Sequence, residues 1–192
     1  MRLPQVAGAT GNITTTGDVV SNGSQTLGDA IADAVTVNGL LRIGLKAEVG
    51  ALEVKRYAAD EEEARQLEVP EGTPLTRVER VILAEMRPVA FLIDILPSSF
   101  VEPDGLADDF AGSVLDFLLA RGDPLKMSRA AVSAIGATAE VAKALEIQRG
   151  DVLLHFSSQL YNASGKIVDY SLTYFIPGYF NFHVVRRVGR GG

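Results

Sequence analysis

No cysteine occurs among the 192 residues. That excludes a disulfide framework and any thiolate metal site. Histidine is nearly as scarce: His155 and His183 are the only two, too few for a multi-histidine metal centre or a two-histidine proton relay. No metal or other cofactor is therefore expected. No apolar run reaches the ~18 residues a membrane-spanning helix needs. The stretch after Met1 lacks the basic region and apolar core of a secretory leader, so a cytoplasmic protein is the expectation. Positive charge is the minority sign, with 18 Lys and Arg against 24 Asp and Glu and a net charge of −6. A chain of that balance is a poor direct binder of DNA or of an anionic membrane, and no basic stripe or recognition helix is visible.

What is present suffices for one well-buried domain, since 47% of the residues are apolar and the length supports a single core. Residues 1–25 are rich in Gly, Thr, Asn and Ser and read as an arm or linker. From Thr26 the pattern becomes helical, with Leu27, Ala30, Ile31 and Ala34 on one face and Asn38-Gly39 as the stop. Residues 40–56 are strand-like in parts. Asp60 opens a helix over EEEARQL, whose first-turn acids suit the helix dipole and form a solvated start. Pro70-Glu71-Gly72 is a turn.

Two hairpins dominate the rest. The first runs from Pro74 to Pro97 and turns at Glu85-Met86-Arg87. Alternation puts Thr76, Val78, Arg80, Ile82 and Ala84 on one face of its first strand and Ala90, Leu92, Asp94 and Leu96 together on its second. The second hairpin spans 151–161 and 166–177 around Asn162-Ala163-Ser164-Gly165. There Asp169, Ser171, Thr173 and Phe175 share parity. Between the hairpins, 105–111 is loop, Ser113 caps a helix with Val114, Phe117 and Leu118 on one face, 127–135 is a strand, and Thr138 caps a short helix over AEVAKAL. A last strand over 179–188 precedes a basic tail, 189–192, with Arg186, Arg187 and Arg190 as a solvated end.

The segment ARQLEVPEGTPL from Ala64 aligns with AKALEIQRGDVL from Ala142, an offset of 78 residues at which Ala64, Leu67, Glu68, Gly72 and Leu75 all recur. Each copy reads helix, turn, strand, turn, strand, proline. An internal helix–hairpin repeat implies an α+β domain with a mainly antiparallel sheet and helices on one side. The other face must then be covered by loops, a partner subunit or a ligand.

The order of these motifs resembles a known family. The stretch from Leu67 to Arg80 reads L-x-V-x-x-G-x-P-L-x-R-x-x-R, Pro88-Val89-Ala90 leads to Leu96-Pro97, and the second copy ends GKIVDYSLTYF from Gly165. This is similar to the UTRA effector-binding domain, the C-terminal half of GntR-type bacterial transcription regulators of the HutC subfamily, over 26–188. The resemblance implies a chorismate-lyase-like six-stranded antiparallel sheet with flanking helices, a homodimer, and DNA contact only through a winged-helix head that this chain does not show. It also implies a small-molecule effector. In relatives that bind phosphorylated sugars the first hairpin carries Arg-x-Arg and then a Glu. Here Arg80 keeps the first Arg, while Ile82 and Leu92 stand at the other two positions. An arginine pair grips phosphate through bidentate, charge-assisted bonds, so an effector less anionic, with an apolar part, is the expectation. Asp94 shares the parity of Leu92. Arg129, Asp169, Ser171, Tyr174 and Phe175 complete the candidate effector site.

Each of these residues has a plainer structural role to weigh. Arg80 serves equally as a strand arginine paired with Asp94 or Asp169. Ile82, Leu92 and Phe175 serve equally as core, and His155, among Leu153, Leu154 and Phe156, as a structural histidine able to titrate near neutral pH. Three functions compete: a ligand-sensing regulator domain without enzymatic activity, an enzyme of the chorismate lyase type using Arg80 and Asp169, and a ligand-free dimerisation module.

Overall fold

A computed structural model describes residues 47–106, 110, 113–180 and 182. The arm, the helix expected from Thr26 and the tail lie outside them. Six strands form one antiparallel sheet: β1 (Ala47–Ala58), β2 (Pro74–Ala84), β3 (Arg87–Pro97), β4 (Leu125–Gly136), β5 (Val152–Asn162) and β6 (Ile167–Phe175), in the spatial order β1-β2-β3-β6-β5-β4. Among the described residues three α-helices accompany the sheet in an α+β fold: α1 (Glu61–Leu67), α2 (Val114–Arg121) and α3 (Ala139–Leu145).

Short polar signals start and stop the helices. Asp60 accepts from the Glu63 N–H at 2.8 Å, while the Glu63 carboxylate accepts from the Asp60 N–H at 3.3 Å, a reciprocal capping box. Ser113 accepts from the Asp116 N–H at 3.1 Å and Thr138 from the Val141 N–H at 3.3 Å. Helices of seven or eight residues are not stable alone; each persists because it buries an apolar face on the sheet.

Three element spans recur at one offset. A shift of 78 residues carries Ala47–Ala58 onto Leu125–Gly136, Glu61–Leu67 onto Ala139–Leu145 and Pro74–Ala84 onto Val152–Asn162. The helix ends agree too, with Glu68 and Glu146 left-handed at φ 53° and 55°. Gly72 N–H donates to the Ala59 carbonyl, and Gly150 N–H to that of Ala137, both at 2.9 Å. Thus β1 and β4 also correspond, which short sequence motifs did not reveal.

Two expectations need correction. The sixth strand is β1, not a strand over 179–188: Tyr179, Phe180 and Phe182 lie outside any strand, and the rest of that segment falls outside the described residues. Its alternating aromatics reach the sheet by their rings instead, because Gly178 at φ 95° turns the chain after β6 and Phe180 stacks 4.5 Å from Phe175. Nor do the helices share one side. α1 and α3 pack Ala64, Leu67, Val141, Ala142 and Leu145 against Leu75, Phe91, Ile93, Ile95 and Tyr174 on one face. α2 sets Val114 and Leu118 on the opposite face against Val78 and Leu96. That opposite face holds the candidate site.

Candidate functional site

Register decides which side chains meet. On the face covered by α2, directly opposed residues run in rows across the strands. One row is Arg80, Leu92, Thr173, Phe156 and Val132 on β2, β3, β6, β5 and β4; the next is Val78, Asp94, Ser171, Ser158 and Ala130. Asp169 follows on β6 opposite Leu160, which faces Ser128. A polar belt therefore crosses the middle of the sheet. Apolar clusters bound it at both ends, Ile82, Ala90, Leu92, Phe156, Phe175 and Phe180 on one side and Val78, Leu96, Val114, Leu118 and Leu160 on the other.

The belt is buried. Arg80 is 3% exposed, Asp94 5%, Asp169 6% and Thr173 2%. Burying charge is unfavourable unless it is paired, and Arg80 Nη2 donates to Asp94 Oδ2 at 2.6 Å. The pairing anticipated for Arg80 is thus present with Asp94. Ser128 Oγ, on the edge strand β4, is buried without a hydrogen-bond partner among the described residues, an unusual state for a hydroxyl. Thr76, at the margin of the belt, is fully satisfied: it donates to the Val101 carbonyl at 2.6 Å and lies 3.0 Å from the Ser98 hydroxyl, tying the chain after β3 down over this face.

Seven of the nine expected site residues share this face: Arg80, Ile82, Leu92, Asp94, Asp169, Ser171 and Phe175. Two do not. Tyr174 is opposed to Phe91 and lies in the core under α1 and α3, its ring 6.2 Å from that of Phe91. Arg129 is opposed to Gln159, whose amide donates to the Gln66 carbonyl of α1 at 2.7 Å, and is itself exposed. Both stand one residue out of phase with the belt. Thr173, Ser158 and Ser128 belong to it; Ser158 and Ser128 were legible only as hydroxyls alternating with Phe156 and Leu160, a signal that needs the pairing to interpret.

His155 lies on the helix-covered face beside Tyr174, ring centroids 4.8 Å apart, with Nδ1 3.4 Å from the Ser133 hydroxyl. Burial pushes its pKa below the ordinary 6.5. The unfolded chain then takes up a proton that the folded state resists. Stability is full above pH 6.5 and declines as the pH falls through that value. His155→Gln is expected to flatten that decline, seen as a smaller drop in urea midpoint between about pH 7.5 and about pH 5.5 than in the parent chain.

A concavity of about 430 Å³ lies over β1, β2 and the start of α3, lined by Lys55, Arg56, Tyr57, Arg77, Glu79 and Glu140. Its charges are mutually satisfied: Arg77 bonds Glu79 at 2.6 Å and Glu140 at 2.8 Å, and Lys55 lies 3.7 Å from Glu79. It is a surface ion network that links the two halves.

The chain matches the UTRA domain over residues 42–181 and belongs to that family. Three solved structures are similar in fold. A GntR-family transcriptional regulator from Enterococcus faecalis V583 is 23% identical with a TM-score of 0.59, over 73% of this chain and 100% of that one. The effector domain of PhnF from Mycobacterium smegmatis is 18% identical with a TM-score of 0.65, over 78% and 92%. A GntR-family regulator from Bacillus cereus is 16% identical with a TM-score of 0.63, over 74% and 99%. No curated protein matches the chain.

Proposed function

We propose that the chain is the effector-binding domain of a GntR-type regulator of the HutC subfamily, non-enzymatic and dimeric, with a chorismate-lyase-like fold and the helix–hairpin unit as an internal repeat. DNA is reached through a winged-helix partner domain, and the effector biases the dimer geometry that presents it. The observation that carries the reading is the buried polar belt. A sheet face built only for stability would be apolar there, because buried charges and hydroxyls stabilise less than packed hydrocarbon.

The effector lies with a polar part against Asp94, Asp169 and Ser171 and an apolar part against Ile82, Leu92 and Phe175. Arg80 is already ion-paired with Asp94, so it offers little net positive charge. That favours a ligand less anionic than a sugar phosphate and disfavours the dianion-binding lyase alternative. Tyr174 and Arg129 act on this site through the opposite layer.

Ligand-induced thermal shift with a panel of sugars, amines, carboxylates and fatty acids tests the reading. A binding class is expected to raise the Tm of the parent chain. That rise should vanish in Asp169→Asn and Ser171→Ala, each compared with its own ligand-free Tm and checked for parental circular dichroism. No shift with any class, or equal shifts in all three proteins, would leave the ligand-free dimerisation module as the better account.

A further inference from the structure

The belt is sealed as well as buried. Asp94, Ser171 and Thr173 are 5%, 9% and 2% exposed, so a molecule reaches them only if some cover moves. Among the described residues three segments lie over that face. The chain after β3 is tied down at Thr76, whose hydroxyl donates to the Val101 carbonyl at 2.6 Å. The chain after β6 seats Phe180 and Phe182 among the rings of Phe156 and Phe175. α2 is held more lightly. Of its eight residues only Val114 and Leu118 are fully buried, both in the cluster with Val78 and Leu96. Val78 stands directly opposite Asp94, so the footprint of α2 adjoins the belt.

The end of α2 is a joint. Gly122 is left-handed at φ 84°, a conformation glycine takes without strain. Just beyond it the Pro124 carbonyl accepts from the Ala163 N–H at 2.6 Å, which fixes the far side of the joint to the β5–β6 turn. Arg121 spans the joint. Its Nε donates to Asp123 Oδ2 at 2.7 Å, past Gly122, and its Nη1 donates to the Phe100 carbonyl at 3.0 Å, after β3. The guanidinium carbon also lies 5.0 Å from the ring centre of Phe100 and 5.5 Å from that of Phe117, within cation–π range. Capping does not require these bonds. The Gly122 N–H already donates to the Leu119 carbonyl at 3.0 Å and the Asp123 N–H to that of Leu118 at 3.1 Å, which closes the helix end.

We propose that α2 is a lid over the belt and that Arg121 is its latch. The helix swings about Gly122 to admit a small molecule, and it recloses when the guanidinium regains Phe100 and Asp123. Arg121 is a positioning residue: it touches no part of the belt and sets how often the belt opens. Local opening of this kind draws on the least firmly packed element of a fold. The purpose of the lid rests on the effector reading, whereas its motion is measurable without any effector.

The absence of cysteine lets single thiols report the motion. Val78→Cys places one beneath α2 at a position 0% exposed, and Val141→Cys places one at a 2% exposed position in the core of α1 and α3. Each full-length chain is labelled with an aromatic disulfide reagent under native conditions. Adding Arg121→Ala is expected to speed labelling of V78C about tenfold, the scale of one charge-assisted bond lost at a partly exposed site, and to leave V141C unchanged. Phe117→Leu, which takes one ring from the guanidinium, is expected to speed V78C alone by a smaller factor, and it decides the matter if R121A does not fold. Equal acceleration of both thiols would make Arg121 a support of the whole fold and overturn the proposal. Unchanged labelling of V78C would overturn it as well. A metabolite panel that raises no Tm, in a chain whose V78C responds as expected, would count against the effector reading alone.

Discussion

Arg80→Ala is expected to destabilise the domain by about 3–5 kcal/mol, because it leaves the Asp94 carboxylate buried without its partner. Arg80 and Asp94 are among the least exposed charged groups described, at 3% and 5%, and their bond of 2.6 Å lies at the short, charge-assisted end of the range. Asp94→Leu alone should also destabilise, by removing a carboxylate that the buried guanidinium bonds at 2.6 Å. Arg80→Met together with Asp94→Leu should recover most of the loss, since a packed apolar pair replaces a desolvated ionic one. Urea denaturation of the two single variants and the double variant gives the coupling directly. Single-variant losses below about 1 kcal/mol would place the pair in the class of solvent-screened surface bridges instead. The recovered double variant has a second use. It keeps the fold while removing the Arg80–Asp94 pair from the belt and leaving Asp169, so loss of ligand response in it separates a site defect from a folding defect.

Phe175→Ala is expected to cost about 3–5 kcal/mol, the range for deleting a fully buried aromatic ring. Phe175 is 1% exposed and its ring meets three others, Phe156 at 5.5 Å, Phe180 at 4.5 Å and Phe182 at 5.1 Å. Removing it leaves a cavity and also unseats the aromatics that follow Gly178. Phe182→Ala, at a half-buried position, should cost clearly less. Thermal and urea unfolding of the two variants side by side checks the ranking; equal losses would mean that the segment after β6 contributes as much as the sheet itself. Because Phe175 borders the belt, the cavity is also expected to broaden the apolar ligands the site accepts, which the same metabolite panel reports.

Local features were legible in the chain alone. Asp60, Ser113 and Thr138 were readable as caps because a side-chain oxygen next to three orphan N–H groups needs no distant partner. The alternation in β2, β3 and β6 put Arg80, Ile82, Leu92, Asp94, Asp169, Ser171 and Phe175 on consistent parities because the strand period is local. The recurrence of Ala64, Leu67, Glu68, Gly72 and Leu75 exposed the matching halves. Tyr174 is out of parity with Ser171 and Phe175 within β6 itself and joined the candidates only through the family resemblance. The face of Arg129 depends on the phase between strands, and its pairing with Gln159 sets it on the face opposite the belt. β6 is buried on both sides, so its apolar content could not reveal which side is which.

The residues themselves determined the elements, their caps, the composition of the belt and membership of a family whose motifs lie in order along the chain. Tertiary structure alone decided that α2 covers the belt, that β1 completes the sheet, that Arg80 pairs with Asp94, and that β4 ends the sheet. Each of these rests on contacts between residues far apart in sequence. Such contacts are selected by register and by the burial of whole faces, quantities that no short window of sequence contains.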